Sequence, residues 1–345
     1  MVVMGWDLGG ANLKLAQIDD GRVTRVACIP CPLRQDRSKF DAALDEALPL
    51  CPPGAAHAVT MTGELSDVFS GRAEGVAYLV DMMRSATDGE ALFYGARSGL
   101  LDCIRAVERS ADVASANWHA SAALAAQVVT EGLFIDVGTT TTDLVPIKDA
   151  ATAVRGYSDG ERLTENELVY TGVVRTPVMA VARNAPFKGR MQRVTAERFA
   201  TMADVWRLMG ELPEGADPYP TPDLAGKSTE ASVARLARML GRDASEAGLL
   251  AFVDLAQHLA ECQVAEIEEA ARMLLAREEL AEEAPVIGAG CGRFIAGKLA
   301  ARFGRPYYDF AELIDCAPEA RDMAATCAPA VAVGLLAERE LLQST

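Results

Sequence analysis

Apolar stretches alternate with short polar turns over the first 30 residues. Residues 2–6, 13–18 and 23–29 are mainly apolar, and turns containing glycine and aspartate separate them. Apolar runs of this length joined by such turns are typical of β-hairpins. The pattern therefore predicts three consecutive strands, with the Asp-Asp-Gly sequence at 19–21 as the second hairpin turn.

Helical and strand-like patterns then alternate as far as residue 130. Apolar residues at helical spacing predict helices at 38–48, 74–84 and 117–129. Short apolar runs predict strands at 57–61, 91–94 and 111–114. At 132–137 and 142–147 the strand–turn–strand pattern of the N-terminus returns. This recurrence predicts a structural duplication, with one subdomain over residues 1–130 and a second over 131–345.

The pattern changes beyond residue 150. The GVVRTPV sequence at 172–178 predicts another strand, and the four prolines within 211–227 predict an irregular loop or lid. Helices are predicted at 229–240, 245–277, 294–303 and 328–342, and strands at 284–287 and 306–308. Alternating strands and helices of this kind predict an α/β fold.

The charge of the chain limits its partners. It carries 33 basic and 49 acidic side chains, a net charge of −16. Nucleic-acid-binding proteins present clustered basic residues, and no such cluster is visible, so we expect no nucleic-acid partner. Because an acidic surface repels anions, a phosphate site in this chain would need glycine-rich backbone and a metal ion.

Hydropathy and cysteine usage predict the compartment. No apolar run approaches the roughly 20 residues of a membrane span, and the N-terminus lacks the pattern of a secretory signal. We therefore expect a cytoplasmic protein with no membrane partner. The eight cysteines are then expected to be free thiols, since the Cys-x-x-Cys pair at 28 and 31 has no second pair to complete a zinc site.

The first hairpin turn has the composition of a phosphate-binding loop. Gly9, Gly10 and Asn12 are the predicted phosphate contacts, because glycines let backbone N–H groups approach phosphate oxygens. Asp7, at the end of the first strand, suits a hydrated Mg²⁺, and Lys14 can neutralise a phosphate oxygen. An ordinary surface hairpin would show the same features, so this turn alone is weak evidence.

The second hairpin turn is more specific. Asp136 ends an apolar strand, and the predicted phosphate contacts follow it: Gly138, Thr139, Thr140, Thr141 and Thr142. The threonines offer hydroxyls and N–H groups, whereas an ordinary hairpin tip favours Asn-Gly or Asp-Gly. We predict that Asp136 faces Asp7 across a cleft and that both carboxylates hold one metal ion.

A third glycine cluster, at 288–292, follows a predicted strand and precedes a helix. A dinucleotide-binding site is not expected there, because no βαβ unit follows it. Gly288 and Gly290 are instead predicted to contact a phosphate or a nucleotide at the helix N-terminus. A plain strand-to-helix turn would have the same sequence.

The three turns, in this order, resemble the acetate/sugar-kinase, Hsp70 and actin superfamily. That resemblance implies a two-domain, actin-like ATPase fold of the ribonuclease H type, with a duplicated βββαβαβα core and a cleft between the domains. DVGTTTTDL at 136–144 resembles more closely the hydantoinase A/oxoprolinase group. It departs from that group's pattern by having Thr139 in place of a second glycine.

Longer segments resemble the methanofuran and methylofuran biosynthesis branch of this group, which is linked to tetrahydromethanopterin-dependent C1 transfer. The segments are WDLGGANLK at 6–14, MTGELSD at 61–67, NWHASA at 117–122, IDVGTTTTDLVPI at 135–147, ELVYTGVVRTPV at 167–178 and ADPYPTPDLAGKS at 216–228. The resemblance implies a transferase that joins a furanylmethyl diphosphate to a phenol of the γ-glutamyltyramine or tyrosine type. An aryl ether forms and diphosphate leaves.

Roles for further side chains follow from that reaction. Mg²⁺ on Asp7 and Asp136, together with Lys14, would stabilise the departing diphosphate. Since an unperturbed phenol has a pKa near 10, a base would help it attack. The candidate bases are Glu64, Asp67 and Asp143, the predicted substrate contacts are Asp67, His119, Arg175 and Lys227, and Asp217 and Asp223 are candidates on a lid. Each of these side chains would also suit a cap, a surface or a turn.

Other functions remain open from the sequence. An ATP-dependent small-molecule kinase of the same fold needs the same two turns and the same metal, and ATP is expected as a cofactor only in that case. A chaperone-like ATPase is disfavoured, because the two-domain core leaves no room for a peptide-binding domain. The long helices leave a homodimer open.

Overall fold

The first third of the chain builds a six-stranded sheet. A computed structural model describes residues 1–34, 36–87 and 90–343. The strands of this sheet are β1 (Val2–Leu8), β2 (Asn12–Asp19), β3 (Arg22–Pro30), β4 (Ala56–Met61), β5 (Ala91–Gly95) and β6 (Gly99–Leu101). Their order is β3-β2-β1-β4-β5-β6, with β1–β3 antiparallel, β4 and β5 parallel to β1, and β6 antiparallel to β5. The helices of this part are α1 (Ser38–Ala47), α2 (Arg72–Ala86), α3 (Cys103–Glu108), α4 (Ser110–Val113) and α5 (Asn117–Ala126).

A second sheet repeats this arrangement. Its strands are β7 (Gly132–Val137), β8 (Thr142–Lys148), β9 (Ala151–Thr152), β10 (Leu168–Val169), β13 (Val286–Ala289) and β14 (Tyr307–Asp309), and a separate hairpin holds β11 (Asn184–Phe187) and β12 (Arg190–Arg193). The order is β10-β8-β7-β13-β14, with β9 beside β8. As in the first sheet, the strands on one side of the central strand are antiparallel to their neighbours, and the nearest two on the other side are parallel. Here β8 is antiparallel to both β7 and β10, whereas β13 is parallel to both β7 and β14. The predicted duplicated core and the actin-like ATPase fold are confirmed.

Helices surround the second sheet and close the chain. They are α6 (Asp159–Thr164), α7 (Val178–Val181), α8 (Met202–Leu208), α9 (Thr229–Met239), α10 (Leu249–Arg277), α11 (Arg293–Phe303), α12 (Arg321–Thr326) and α13 (Ala328–Gln343). The 211–227 segment contains no helix or strand, as its prolines predict. Among the described residues no single helix is long and apolar enough to cross a membrane, although the bent pair Pro318–Thr326 and Ala328–Gln343 reaches that length and composition together.

A shared core joins the two sheets. Buried residues of the first sheet, such as Ile18, and of the second, such as Phe134, pack with the alanine-rich helices α5 and α13 in one cluster. Small side chains on these helices let them approach the strands closely. At the tightest point Gly334 of α13 lies against Gly5 of β1. Thus α13, which the sequence analysis assigned to the second subdomain, packs on β1, β2 and β4 of the first sheet. The division of the chain between residues 130 and 131 stays a prediction.

Two predicted strands are wrong. Residues 111–114 lie in and just after α4, where a short apolar run could not distinguish a helix from a strand. Residues 172–177 form no strand, because the backbone N–H groups of residues 173–175 bond to the turn between β7 and β8 instead of to a sheet edge. This second difference bears directly on the candidate site.

Gly5→Ala is expected to destabilise the fold. An added Cβ would lie 2.0 Å from the carbonyl oxygen of Ala330 and 2.8 Å from the nitrogen of Gly334, so α13 would have to move off β1. Overpacking of this kind costs about 1–3 kcal/mol, and we expect a lower melting temperature in calorimetry. Gly160→Ala is the control, since a Cβ there meets open space. Equal melting temperatures for the two variants would contradict the close packing of α13.

Candidate active site

The β1–β2 and β7–β8 turns are equivalent in geometry. Leu8 pairs with Leu13, and Val137 pairs with Thr142, so each turn contains four residues. In the first turn the Gly9 N–H donates to the carbonyl of Asn12 at 3.0 Å. In the second, Gly138 makes the same bond to residue 141 at 2.9 Å. Glycine is needed at the first position because a Cβ on Gly9 would lie 2.6 Å from the Asn12 oxygen.

Both turns line one cleft of about 420 Å³. The structure brings most of the predicted site residues to this cleft. They are Asp7, Gly9, Gly10, Asn12, Lys14, Asp67, Asp136, Gly138, Thr139, Thr140, Thr141, Asp143 and Arg175. The four-residue turns therefore present backbone N–H groups and glycines to a common space, as an anion cradle requires.

Asp7 and Lys14 lie opposite each other on β1 and β2. The Lys14 Nζ donates to Oδ2 of Asp7 at 3.0 Å, and the other carboxylate oxygen, Oδ1, is buried without a hydrogen-bond partner among the described residues. Burial lowers the pKa of Lys14, but the negative charges around it, with Asp7 foremost, outweigh burial and raise that pKa above its ordinary value. Lys14 is therefore a permanent cation in the cleft.

Asp136 occupies the same position in β7 that Asp7 has in β1, and it lies opposite Asp143 on β8. Burial raises the pKa of Asp136 to about 7, helped by the charges of Asp143 and Asp7 and opposed by Lys14. No hydrogen bond to its carboxylate is found within the described parts of the chain. Asp7, Lys14 and Asp136 line the same cleft, so the two strand ends belong to one charged cluster.

The donor set fits a magnesium ion that also binds a phosphate. Mg²⁺ takes one or two carboxylates and completes its shell with water and phosphate oxygens. Asp7 offers an unpartnered buried oxygen, and Asp136 offers a carboxylate whose pKa a nearby cation would lower. In the described residues no group of three or more His, Cys, Asp and Glu side chains could hold a metal by itself. Any ion held here would therefore depend on the substrate for further ligands.

Asp143 is neutralised by a buried arginine. Arg162 donates from Nη1 to Oδ1 of Asp143 at 2.6 Å and from Nη2 to the carbonyl of Glu167 at 2.8 Å. Its guanidinium lies 3.7 Å above the ring of Trp118, within range of a cation–π contact. Burial raises the pKa of Asp143, although Arg162 opposes that shift. This fixed pair makes Asp143 a weak candidate for the base.

The segment predicted as a strand at 172–178 holds the threonine turn in place. Val173 N–H donates to the Gly138 carbonyl at 3.1 Å, and Arg175 N–H donates to the Thr139 carbonyl at 2.8 Å. The Thr142 hydroxyl donates to the Thr171 carbonyl at 2.7 Å and is fully buried. The predicted phosphate contact through Thr142 is therefore corrected: this hydroxyl anchors the turn from behind.

The prediction for the third glycine cluster also needs correction. Neither Gly288 nor Gly290 lines the cleft. A Cβ on Gly290 would lie 2.3 Å from Oδ1 of Asp136, and one on Gly288 would lie 2.5 Å from the hydroxyl of Tyr307. These glycines therefore make room for neighbouring side chains. Gly290 acts on the site indirectly, because it leaves space for the Asp136 carboxylate.

Glu64 lies behind the cleft wall and contacts the cleft through a serine. Its Oε1 accepts a hydrogen bond of 2.8 Å from the Ser115 hydroxyl, and Ser115 lines the cleft. Oε2 of Glu64 is buried without a partner in the described chain, and burial raises the pKa of Glu64 to about 6. Ser115 has a φ of 53°, a left-handed conformation that is uncommon for residues other than glycine. Asp67 is exposed and lines the cleft directly.

Two predicted substrate contacts lie elsewhere. His119 is buried between Tyr94, 2.9 Å from its Nδ1, and Thr152, 3.1 Å from its Nε2, and burial lowers its pKa to about 4. It does not line the cleft, so its environment supports a packing role. Lys227 donates to the carbonyl of Asp217 in the proline-rich segment and does not line the cleft. Asp223 accepts from Arg235 at 3.1 Å.

Several residues of the site were not predicted from the sequence. Ser115, Trp118, Arg162 and Arg34 line the cleft. Trp118 lies in the NWHASA segment and Ser115 lies two residues before it, so the resemblance of that segment could have identified both residues. Arg162 and Arg34 lie outside every motif, and only the folded chain brings them to the turns.

Asp136→Asn is expected to stabilise the metal-free protein at pH 8. The carboxyl has a pKa near 3.8 when unfolded and about 7 when folded. Folding is therefore progressively disfavoured as the pH rises from about 4 to 7, and the full penalty is present above that range. Removing the charge should raise the melting temperature by a few degrees at pH 8 in EDTA, and by less at pH 5.

The control for that measurement is Asp45→Asn, an exposed position on α1. Its melting temperature should follow that of the wild type at both pH values. A lower melting temperature for Asp136→Asn than for the wild type at pH 8 would show that the Asp136 charge does not destabilise the fold.

Comparison with known proteins adds family membership to this geometry. The hydantoinase/oxoprolinase family model matches residues 55–312. A (4-{4-[2-(gamma-L-glutamylamino)ethyl]phenoxymethyl}furan-2-yl)methanamine synthase from Methanocaldococcus jannaschii is 31% identical over 245 residues, which cover 70% of this chain and 72% of that protein. A protein of the same name from Methanococcus vannielii is 32% identical over 114 residues, 33% of this chain and 51% of that protein.

A solved structure agrees with the architecture. Nucleotide-free acetone carboxylase superposes with a TM-score of 0.58 over 97% of this chain and 70% of that one, at 10% sequence identity. At such low identity the likeness shows the fold alone. The match over residues 55–312 and the identity to the first relative together show that this chain belongs to the hydantoinase/oxoprolinase family.

Proposed function

We propose that the chain is an ether-forming transferase of methanofuran or methylofuran biosynthesis. It would condense a furanylmethyl diphosphate with the phenol of a γ-glutamyltyramine-type or tyrosine-type acceptor and release diphosphate. The names of the two relatives support the product class. The observation that carries the proposal is the pair of equivalent four-residue turns, each preceded by a strand-end aspartate, that line a single cleft.

The donor's diphosphate would lie between the two turns. Backbone N–H groups of residues 10–11 and 139–141 are available to its oxygens, whereas those of Gly9 and Gly138 close the turns themselves. Lys14 supplies a fixed positive charge. Asp7 and Asp136 would hold Mg²⁺, which when bound supplies further positive charge to the phosphate oxygens. Preorganised donors and charges of this kind stabilise a leaving group as its negative charge develops.

The reaction exchanges one carbon–oxygen bond for another. The methylene–diphosphate bond breaks with its electron pair on the leaving oxygen, and the phenol oxygen forms the new bond to the methylene carbon. The furan oxygen can donate electron density to that carbon, so departure is able to precede attack. The phenolic proton must pass to a base, since a phenol is almost fully protonated at neutral pH.

Glu64, acting through Ser115, is the base that the contacts support best. Ser115 lies in the cleft wall and already donates its proton toward Glu64, so its oxygen is free to accept one from a phenol. Glu64 keeps a second oxygen that has no hydrogen-bond partner among the described residues, and its pKa of about 6 lies close to neutral pH. An effective base has a pKa near the working pH. Asp143 is less suited because it is paired with Arg162.

A direct assay tests the function. The purified protein is incubated with Mg²⁺, a furanylmethyl diphosphate and either γ-glutamyltyramine or tyrosine, without ATP, and mass spectrometry follows the ether product. We expect ether and diphosphate in equal amounts, and loss of both in EDTA. ATP-dependent phosphorylation of the small molecule, with no ether from either phenol, would contradict the proposal and support the kinase alternative.

Glu64→Gln is expected to lower kcat for ether formation by about a hundredfold or more, the usual contribution of a general base. In the wild type the rate should rise with pH through about 6, because Glu64 must lose its proton to act. Pre-steady-state rates between pH 5 and 8 would show this rise, which should be absent in Glu64→Gln and weakened in Ser115→Ala.

Glu46→Gln, an exposed change on α1, serves as the matched control and should keep the wild-type pH profile. Wild-type rates in Glu64→Gln at every pH would remove Glu64 from the mechanism while leaving the transferase reaction itself intact.

A further inference from the structure

A second, smaller pocket opens beside the phosphate cleft. Its volume is about 50 Å³, and it shares Gly10, Ala11, Arg34 and Arg175 with the cleft wall. Arg198 lines the second pocket only. A molecule bound in the cleft could therefore extend past the first turn into a space bordered by three arginines.

The three arginines have no ion-pair partner within the described residues. Two aspartates also line the pocket, but other cations already pair with them. Asp204 bonds to Arg235 at 2.7 Å, and Asp217 bonds to Arg207 at 2.7 Å. The surplus positive charge therefore lies on Arg34, Arg175 and Arg198, in a chain whose net charge is −16.

The arginines lie close enough to influence each other. Burial, together with the positive charges of Arg34 and Arg198, lowers the pKa of Arg175. Like charges that are brought together without a counter-ion are unfavourable. Such an arrangement is relieved when an anion binds between them, and arginine is well suited to pairing with a carboxylate through two parallel hydrogen bonds.

The proline-rich segment builds the opposite wall. Tyr219, Pro220 and Pro222 line the pocket, and the Tyr219 hydroxyl donates to the carbonyl of Ala11 in the first phosphate turn. The Thr221 hydroxyl donates to the Ala225 carbonyl at 2.8 Å and stabilises the segment internally. The pocket is thus attached to the turn that would hold the diphosphate.

The geometry points to a carboxylate-binding subsite that takes the acidic end of the phenolic acceptor, with Arg198, Arg34 and Arg175 as its ligands. This inference rests on the proposed function. The relatives' names include a γ-L-glutamylamino group, which carries a free α-carboxylate beside an α-ammonium at the end of the molecule remote from the phenol, and the carboxylate is the group that the arginines would bind. With the phenol in the cleft, that end would extend toward the arginines. The diphosphate already has the two turns and Lys14 as partners, so the pocket is not needed for the donor.

A substitution of Arg198 distinguishes acceptor binding from donor binding, because Arg198 lines the pocket but not the cleft. Calorimetry would measure the binding of three probes without turnover: γ-glutamyltyramine, tyramine and inorganic diphosphate with Mg²⁺. The wild type should bind γ-glutamyltyramine more tightly than tyramine, which lacks carboxylates. Arg198→Gln should weaken γ-glutamyltyramine binding roughly tenfold or more, as expected for loss of a charge-assisted hydrogen bond. Its affinities for tyramine and diphosphate should not change.

Arg193→Gln is the matched control, because Arg193 is an exposed arginine on β12 that lines neither space. Its affinities for all three probes should equal those of the wild type. The subsite is overturned if Arg198→Gln binds γ-glutamyltyramine like the wild type, if diphosphate binding falls as much, or if the wild type does not prefer the acidic phenol.

The two proposals fail separately. If the wild type makes the ether but Arg198→Gln does not alter the acceptor affinity, the subsite is contradicted and the transferase function is supported. If the preference for γ-glutamyltyramine depends on Arg198 but no pair of substrates gives the ether, the subsite is supported and the transferase function is contradicted.

Discussion

The charge balance at the two strand ends constrains the rest of the site. Three carboxylates, Asp7, Asp136 and Asp143, meet two cations, Lys14 and Arg162, at the head of the cleft. Burying an unpaired charge is costly, and burial accordingly raises the pKa of Asp136. The imbalance favours a bound cation. Lys14 on β2 and Asp143 on β8 occupy equivalent positions opposite Asp7 and Asp136, so a lysine offsets the first strand-end carboxylate and a second carboxylate faces the other.

Several glycines stabilise this arrangement of charges by allowing close packing around the strand ends. Gly290 leaves space for the Asp136 carboxylate, and Gly172 allows the 171–176 segment to pack against the threonine turn. Helix α13 fixes β1 from behind through the contact between Gly5 and Gly334. A close-packed interior transmits small displacements. Substitutions at these glycines would therefore displace the strand ends, although none of the four glycines lines the cleft.

The sequence predicted the features that are local in the chain. Each strand–turn–strand unit depends on neighbours within about ten residues, and both units were predicted correctly. The positions of Asp7 and Asp136 near the ends of their strands were also predicted correctly. Features that depend on distant pairing were missed. The valines at 173 and 174 read as a strand because the bonding of their N–H groups to the turn cannot be seen from periodicity. Thr142 looked like a phosphate contact for the same reason, since its hydroxyl partner lies 29 residues away.

The local distribution of charge around the cleft shows why net charge is a poor guide to this site. A charge of −16 predicts that anions are repelled at long range, and salt screens that repulsion beyond roughly 10 Å. Inside the cleft the local charges determine which ligands are favoured. Lys14 and Arg162 pair with aspartates, where a metal ion and a diphosphate together would suit the balance. Arg34, Arg175 and Arg198 border the adjoining pocket and have no ion-pair partner among the described residues. In the proposed reaction two anions of different chemistry would therefore occupy adjoining spaces. The diphosphate would lie with the metal ion among the aspartates, and the carboxylate of the acceptor would lie beside the arginines.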